Sequence, residues 1–169
     1  PSGLSAISTT LLSVLKTGDH ILVCDNVYRP SRNFCNGMLT RLGIETTYFD
    51  PLIGAGIEKL FKPNTRAVLV EAPGSQSFEM PDIRAIAHVA HARDALVIDD
   101  NTWATPLYHR SLEQGVDISM QAATKYIGGH SDIMFGTIAA NAKAWPLIQE
   151  AIRLLGVCAG PDDVYLALR

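Results

Sequence analysis

Gln121-Ala122-Ala123-Thr124-Lys125-Tyr126-Ile127-Gly128-Gly129-His130-Ser131-Asp132 decides how this chain is read. The stretch follows the largely apolar run Val116 to Met120, so Lys125 falls just beyond the end of a strand, between small residues and a glycine pair. Working outward, the same punctuation recurs. Apolar strands are expected at His20–Asp25, Ile44–Phe49, Arg66–Glu71, Ala95–Asp99 and Ile118–Gln121, with a returning, antiparallel strand at Ile133–Ala140. Between them lie helical stripes: Leu4 to Leu15 after an N-cap at Ser2, Ser31 to Leu42 closed by Gly43, a short helix at Gly54–Phe61, one opened by Pro81-Asp82, and one over residues 143–155. Helical spacing of apolar residues and short continuous apolar strands in alternation predict an α/β fold with a mostly parallel sheet covered on both faces.

Two side chains stand out chemically. A lysine after Ala-Ala-Thr is not on a charged helix face, and burial would favour its neutral amine, the form that makes a Schiff base with an aldehyde cofactor. The strand Val97-Ile98-Asp99 ends in Asp99-Asp100-Asn101-Thr102-Trp103. Neighbouring strand residues point to opposite faces, so one of the two aspartates serves a site and the other is structural, satisfied by backbone or a helix cap. Asp100 opposite Lys125 suggests a pyridoxal phosphate site. Ser2-Gly3 before a helix offers free N–H groups to phosphate, although an ordinary cap reads the same way. Tyr28, in the loop after a strand, is placed to stack on a planar ring or to be a half-exposed loop tyrosine. His88 and His91 lie three apart on a helix without a third ligand nearby, and His109 is given no role.

Composition narrows the classes. Net charge is −3, with 14 basic and 17 acidic residues spread evenly, so neither a nucleic-acid surface nor a membrane surface is expected. No apolar run approaches the length of a bilayer crossing, and no secretory signal is visible. Cys24, Cys35 and Cys158 lack metal-ligand spacing and read as reduced thiols of a cytoplasmic protein. No metal site is expected. Repeats, low-complexity tracts and linkers are absent from the sequence, so residues 1–169 read as one domain.

Asp100-Asn101-Thr102-Trp103, Ala123-Thr124-Lys125-Tyr126 and Gly129-His130-Ser131-Asp132 resemble the Cys/Met-metabolism family of pyridoxal-phosphate enzymes. Within it, Glu71-Ala72-Pro73-Gly74-Ser75, Trp103 and Gln121-Ala122-Ala123 are most similar to the cystathionine β-lyase branch. The resemblance implies a three-layer α/β/α domain like the large domain of aspartate aminotransferase (fold type I). It implies that family members run beyond both ends, so that the chain is the cofactor-binding large domain without an N-terminal arm and a C-terminal domain. It also implies roles. Lys125 holds the cofactor aldehyde and then acts as base, Asp100 faces the pyridine nitrogen, and Tyr28 stacks on the ring. Gly3, Leu4 and Thr124 contact the phosphate, Thr102 the ring edge or Asp100, and Ser75 the phenolic oxygen. Two departures are noted. Ser75-Gln76 stands where many members have Asn-Pro, and Ala122 where most have serine, both as the β-lyase branch allows.

The activity implied is β-elimination of cystathionine to homocysteine, pyruvate and ammonia, in a homotetramer built as a dimer of dimers. Cystathionine γ-synthase or methionine γ-lyase chemistry is the alternative within the family. A non-catalytic phosphate-binding α/β regulatory domain is the alternative outside it, weakened by the missing third strand-end aspartate and by the lack of nucleotide-binding glycine loops.

Overall fold

The computed structural model describes residues 1–169. Six strands form one sheet in the order β2-β1-β3-β4-β5-β6. They are β1 (His20–Cys24), β2 (Glu45–Phe49), β3 (Thr65–Glu71), β4 (Leu96–Asp100), β5 (Ile118–Gln121) and β6 (Thr137–Ala140). The first five run parallel, and β6 pairs antiparallel to β5 with Met120 opposite Ile138. The returning strand is therefore shorter than expected, because residues 133–136 are outside the ladder.

β1, β4 and β5 are buried at every position, which requires cover on both faces. Helices α1 (Gly3–Val14), α2 (Arg29–Phe34) and α5 (Trp145–Leu155) pack as one group. Helix α3 (Ile83–Ala92) packs with the 3-10 turn Gly54–Leu60 and against β3 and β4. Between these layers lies a core of 31 apolar residues, including Leu11, Ile21, Leu22, Val97, Ile98 and Ile118. The expected α/β/α layering is thus present.

Local chemistry explains the helix starts. Ser2 Oγ accepts the Ser5 N–H at 3.0 Å and caps α1, and Asp82 Oδ1 accepts the Ala85 N–H at 3.0 Å and caps α3. The helix expected over Ser31–Leu42 starts two residues earlier, with Pro30 in its first turn, and widens into a π turn at Cys35–Leu39. Two short helices follow β4 and α5: α4 (Thr105–Tyr108) and α6 (Pro161–Ala167). No helix is long and apolar enough to cross a membrane.

Two glycines seat α1 against the sheet. A Cβ on Gly3 would lie 2.5 Å from the Cβ of Ala122, just after β5. A Cβ on Gly136, just before β6, would lie 2.2 Å from the Ser2 carbonyl oxygen. Only bare backbone allows the helix N-terminus to sit between these segments. Gly3 was expected to admit a ligand, and its smallness is used here by Ala122.

Candidate functional site at the carboxyl edge of the sheet

Strand polarity gathers the sequence-predicted residues at one edge. Tyr28 follows β1, Ser75 follows β3, Asp100 ends β4, Thr102 follows it, and Thr124 and Lys125 follow β5. A run of hydrogen bonds crosses from the lysine turn to the aspartate. The Lys125 N–H donates to the Ala122 carbonyl at 2.9 Å, and the Ala122 N–H donates to Thr102 Oγ1 at 2.8 Å. Thr102 Oγ1 in turn donates to Asp100 Oδ1 at 2.5 Å, and the Thr102 N–H reaches the same oxygen at 3.1 Å. Lys125 and Asp100 are therefore tied through backbone and one hydroxyl.

Asp100 is buried, and burial pushes its carboxyl up to about 6, against the two Thr102 hydrogen bonds that favour the charged form. Both bonds fall on Oδ1, and no donor of the chain takes Oδ2. The carboxylate keeps an acceptor for an incoming N–H. On the other side Asp100 is the register partner of Glu71 on β3. Glu71 Oε2 accepts the Tyr28 N–H at 2.6 Å, and Oε1 accepts the Ser75 hydroxyl. Burial and then the Asp100 charge push Glu71 up to about 8. Sequence reading gave Glu71 no role. Its signal was a carboxylate closing the apolar strand Val68-Leu69-Val70, but the neighbour that gives it meaning is set by register.

At the N-terminus of α1 the first helical bond is from the Ala6 N–H to the Ser2 carbonyl, and Ser2 Oγ takes the Ser5 N–H. The N–H groups of Gly3 and Leu4 precede both and are free for an anion. They sit beside Ala122, whose N–H faces Thr102. Two free helix N–H groups, a carboxylate with an open oxygen and a lysine thus share one edge, a donor and acceptor set that fits the phosphate, ring nitrogen and aldehyde of pyridoxal phosphate.

Three expectations need correction. Lys125 is exposed, not buried, because the turn after Ala123 projects beyond the end of β5. The Thr124 N–H donates to the Phe135 carbonyl at 3.1 Å and its hydroxyl exchanges bonds with the Phe135 backbone, so its N–H is committed within the chain. Asp99 was expected to be satisfied by backbone or a cap. It is fully buried on the opposite side of β4, its oxygens make no hydrogen bond, and His109 Nε2 lies 3.5 Å from Oδ2. Burial pushes its carboxyl up, and His109 opposes that.

Trp103 is half exposed and packs edge-on to Phe78 and obliquely to Tyr126, each at 6.1 Å between ring centroids, so it is not a core residue. His91 Nε2 pairs with Asp117 Oδ2 at 2.9 Å, and His88 is exposed. Cys24 and Cys35 are buried, and burial holds both thiols up at about 12, whereas Cys158 is exposed.

A family model described as Cys/Met metabolism PLP-dependent enzyme matches residues 1–169. A Rhizobium johnstonii protein, provisionally named a cystathionine beta-lyase, is 56% identical over all of this chain and 43% of its own length. Cystathionine beta-lyase MetC of Escherichia coli K12 is 42% identical over all of this chain and 43% of its own length. More distant relatives carry other names: an L-alanine/L-glutamate racemase of Wolbachia pipientis at 39% and an L-methionine gamma-lyase of Fusobacterium nucleatum at 35%. A crystal structure of cystathionine gamma-lyase from Lactobacillus plantarum complexed with L-serine superposes with a TM-score of 0.94 at 34% identity, covering 98% of this chain and 44% of that one. The chain spans less than half the length of these relatives.

Proposed function

This chain belongs to the Cys/Met metabolism family of pyridoxal-phosphate-dependent enzymes, and on that premise we propose that it is the cofactor-binding large domain of a carbon–sulfur lyase. The reaction proposed is β-elimination of cystathionine, with water, to homocysteine, pyruvate and ammonia. The observation that carries this reading is the linked set Lys125–Ala122–Thr102–Asp100, alongside β-lyase names among the relatives at 42 and 56% identity. The match over the whole chain leaves no ground for a non-catalytic regulatory domain.

Pyridoxal phosphate, when bound, supplies an aldehyde that condenses with amines and a ring that draws electrons from the substrate Cα. In this reading Lys125 Nζ would hold the aldehyde, and its free amine would accept the substrate Cα proton as general base. Asp100 Oδ2 holds the proton on the ring nitrogen, and Thr102 keeps that carboxylate from turning. The Gly3 and Leu4 N–H groups would hold the phosphate. The Tyr28 ring would stack on the cofactor, while the Ser75 and Thr124 hydroxyls, which donate to Glu71 and to the Phe135 carbonyl, would hold the loops at its rim. The exposure of Lys125 suits this role, because its amine must reach the cofactor and the substrate from the open side of the edge.

The full-length protein is further proposed to be a cytoplasmic homotetramer made of paired dimers. Light scattering of the purified protein checks the assembly. Pyruvate formed from cystathionine by the pyridoxal-phosphate-loaded protein would support the main reading. Formation of 2-oxobutyrate in its place would reassign the activity to γ-elimination, the second reading, which the relative named methionine gamma-lyase and the matched gamma-lyase structure favour. Neither product would end the lyase assignment.

A further inference from the structure

Glu71 is a buried carboxyl at this edge that the chemistry above does not use. It is 5% exposed and touches three things at once. Oε2 takes the Tyr28 N–H, Oε1 takes the Ser75 hydroxyl, and the residue lies directly across the ladder from Asp100. The loop after β1 and the loop after β3 are thereby fastened to the strand next to the proposed ring-nitrogen acceptor. The charged groups acting on Glu71 are Asp100 and Asp99, both on β4, and the nearby Cys24 thiol is neutral. Two adjacent buried carboxyls do not both ionise readily. Each accepts two hydrogen bonds that favour its charge, Asp100 from Thr102 and Glu71 from Tyr28 and Ser75. The Thr102 hydroxyl accepts from the Ala122 N–H and so keeps its own hydrogen on Asp100, whereas the Ser75 hydroxyl can turn to accept from Glu71, which puts the proton of the pair on Glu71.

We propose that Glu71 is a positioning residue: it clamps the Tyr28 backbone and the Ser75 hydroxyl in fixed relation to Asp100, and it carries the proton that lets Asp100 stay charged at neutral pH. The proposal rests on the reading of Asp100 and Tyr28 as cofactor residues, yet its proton can be tested without cofactor. A protonated Glu71 loses nothing as a clamp. Its carbonyl oxygen accepts the Tyr28 N–H, and its O–H can serve Ser75 in the opposite direction.

The test uses the full-length protein with Glu71→Gln and Glu71→Ala. Gln keeps the shape and both hydrogen bonds but removes the titration, whereas Ala removes the clamp. In the cofactor-free protein at pH 7, the infrared difference between wild type and Glu71→Gln should show a buried carboxylic-acid carbonyl band, which the subtraction separates from any band of the buried Asp99. That band should vanish on raising the pH to 9. Pyridoxal phosphate should bind Glu71→Gln at pH 7 within about threefold of wild type, and Glu71→Ala about tenfold more weakly, the scale of one lost hydrogen bond to a charged or buried group. The proposal is overturned if the band is absent at pH 7, if Gln weakens binding as much as Ala, or if Ala binds as wild type does. Should Glu71→Ala not fold, the infrared band and the Gln affinity decide the matter by themselves. A wild type that fails to bind pyridoxal phosphate would overturn the functional reading instead, and the infrared band would still report on the Glu71 proton.

Discussion

At the amino ends of the strands, His20 on β1 is fully buried and uses both ring nitrogens, Nδ1 with Thr65 Oγ1 at 2.7 Å and Nε2 with Thr47 Oγ1 at 2.9 Å. At the carboxyl ends, Asp100 leaves one oxygen without a donor, Glu71 crowds against it, and the α1 N-terminus leaves two N–H groups free. Both edges bury titratable groups. One spends them on its own neighbours, tying β1, β2 and β3 together. The other holds hydrogen-bonding capacity in reserve, which costs stability and suits binding. The signs of the shifts agree: burial lowers His20 toward its neutral form and raises Glu71 and Asp100 toward theirs.

The sharpest way to break this contrast is Lys125→Ala in the full-length protein loaded with pyridoxal phosphate. We expect loss of the visible absorption of the lysine-bound cofactor, with turnover falling by roughly 10³-fold or more while thermal stability holds. Unchanged colour would remove the carboxyl edge as the reactive site. Asp100→Asn comes next. It should keep the fold and the cofactor but reduce kcat by on the order of 10²-fold to 10⁴-fold, the range for losing a positioned proton or charge partner. Retained turnover would show that the free Oδ2 is not an acceptor for the ring.

A smaller effect, on the other edge, is expected from His20→Ala. Two buried threonine hydroxyls lose their partner, so urea unfolding should show a loss of about 1–3 kcal/mol. Activity per folded molecule and cofactor affinity should not change. A fall in affinity would mean that the two edges are coupled.

A further difference between the edges is in the pH dependence of the cofactor-free protein. Between the ordinary glutamate value of 4.5 and the folded value of about 8, the folded chain keeps a Glu71 proton that the unfolded chain has lost. Stability from that group is therefore present at low pH and falls as pH rises through this window. His20 runs the other way. Its folded value lies below 6.5, so the unfolded chain binds the extra proton and stability falls as pH drops below that point. Melting curves from pH 5 to 8.5 should show the first limb flattened by Glu71→Gln and the second by His20→Gln. A wild-type curve unchanged by either variant would sink the comparison.

Much of this was legible in the chain. The alternation of strands and helices, the caps at Ser2 and Asp82, and the placing of Lys125 and Asp100 just past apolar strands depend on residues only a few positions apart. Local periodicity and punctuation carry that information. The opposed facing of Asp99 and Asp100 also followed, since side chains alternate along any strand. Other features had no local signal. The exposure of Lys125 depends on how far its turn projects, and the commitment of Thr124 to Phe135 depends on where the chain returns. His109 sits beneath Asp99 only because the connection after α4 folds back under β4.

By itself, then, the sequence determined which segments are strands, which helices begin where, and which residues stand at the strand tips, because those are properties of short stretches of backbone. Only the tertiary structure decided the order β2-β1-β3-β4-β5-β6, and with it that Glu71 faces Asp100 and that Gly3 meets Ala122. The physical reason is register. Which side chains share a buried neighbourhood is fixed by pairing between distant strands, and that sets both the packing at the helix start and the charge state of the carboxyls.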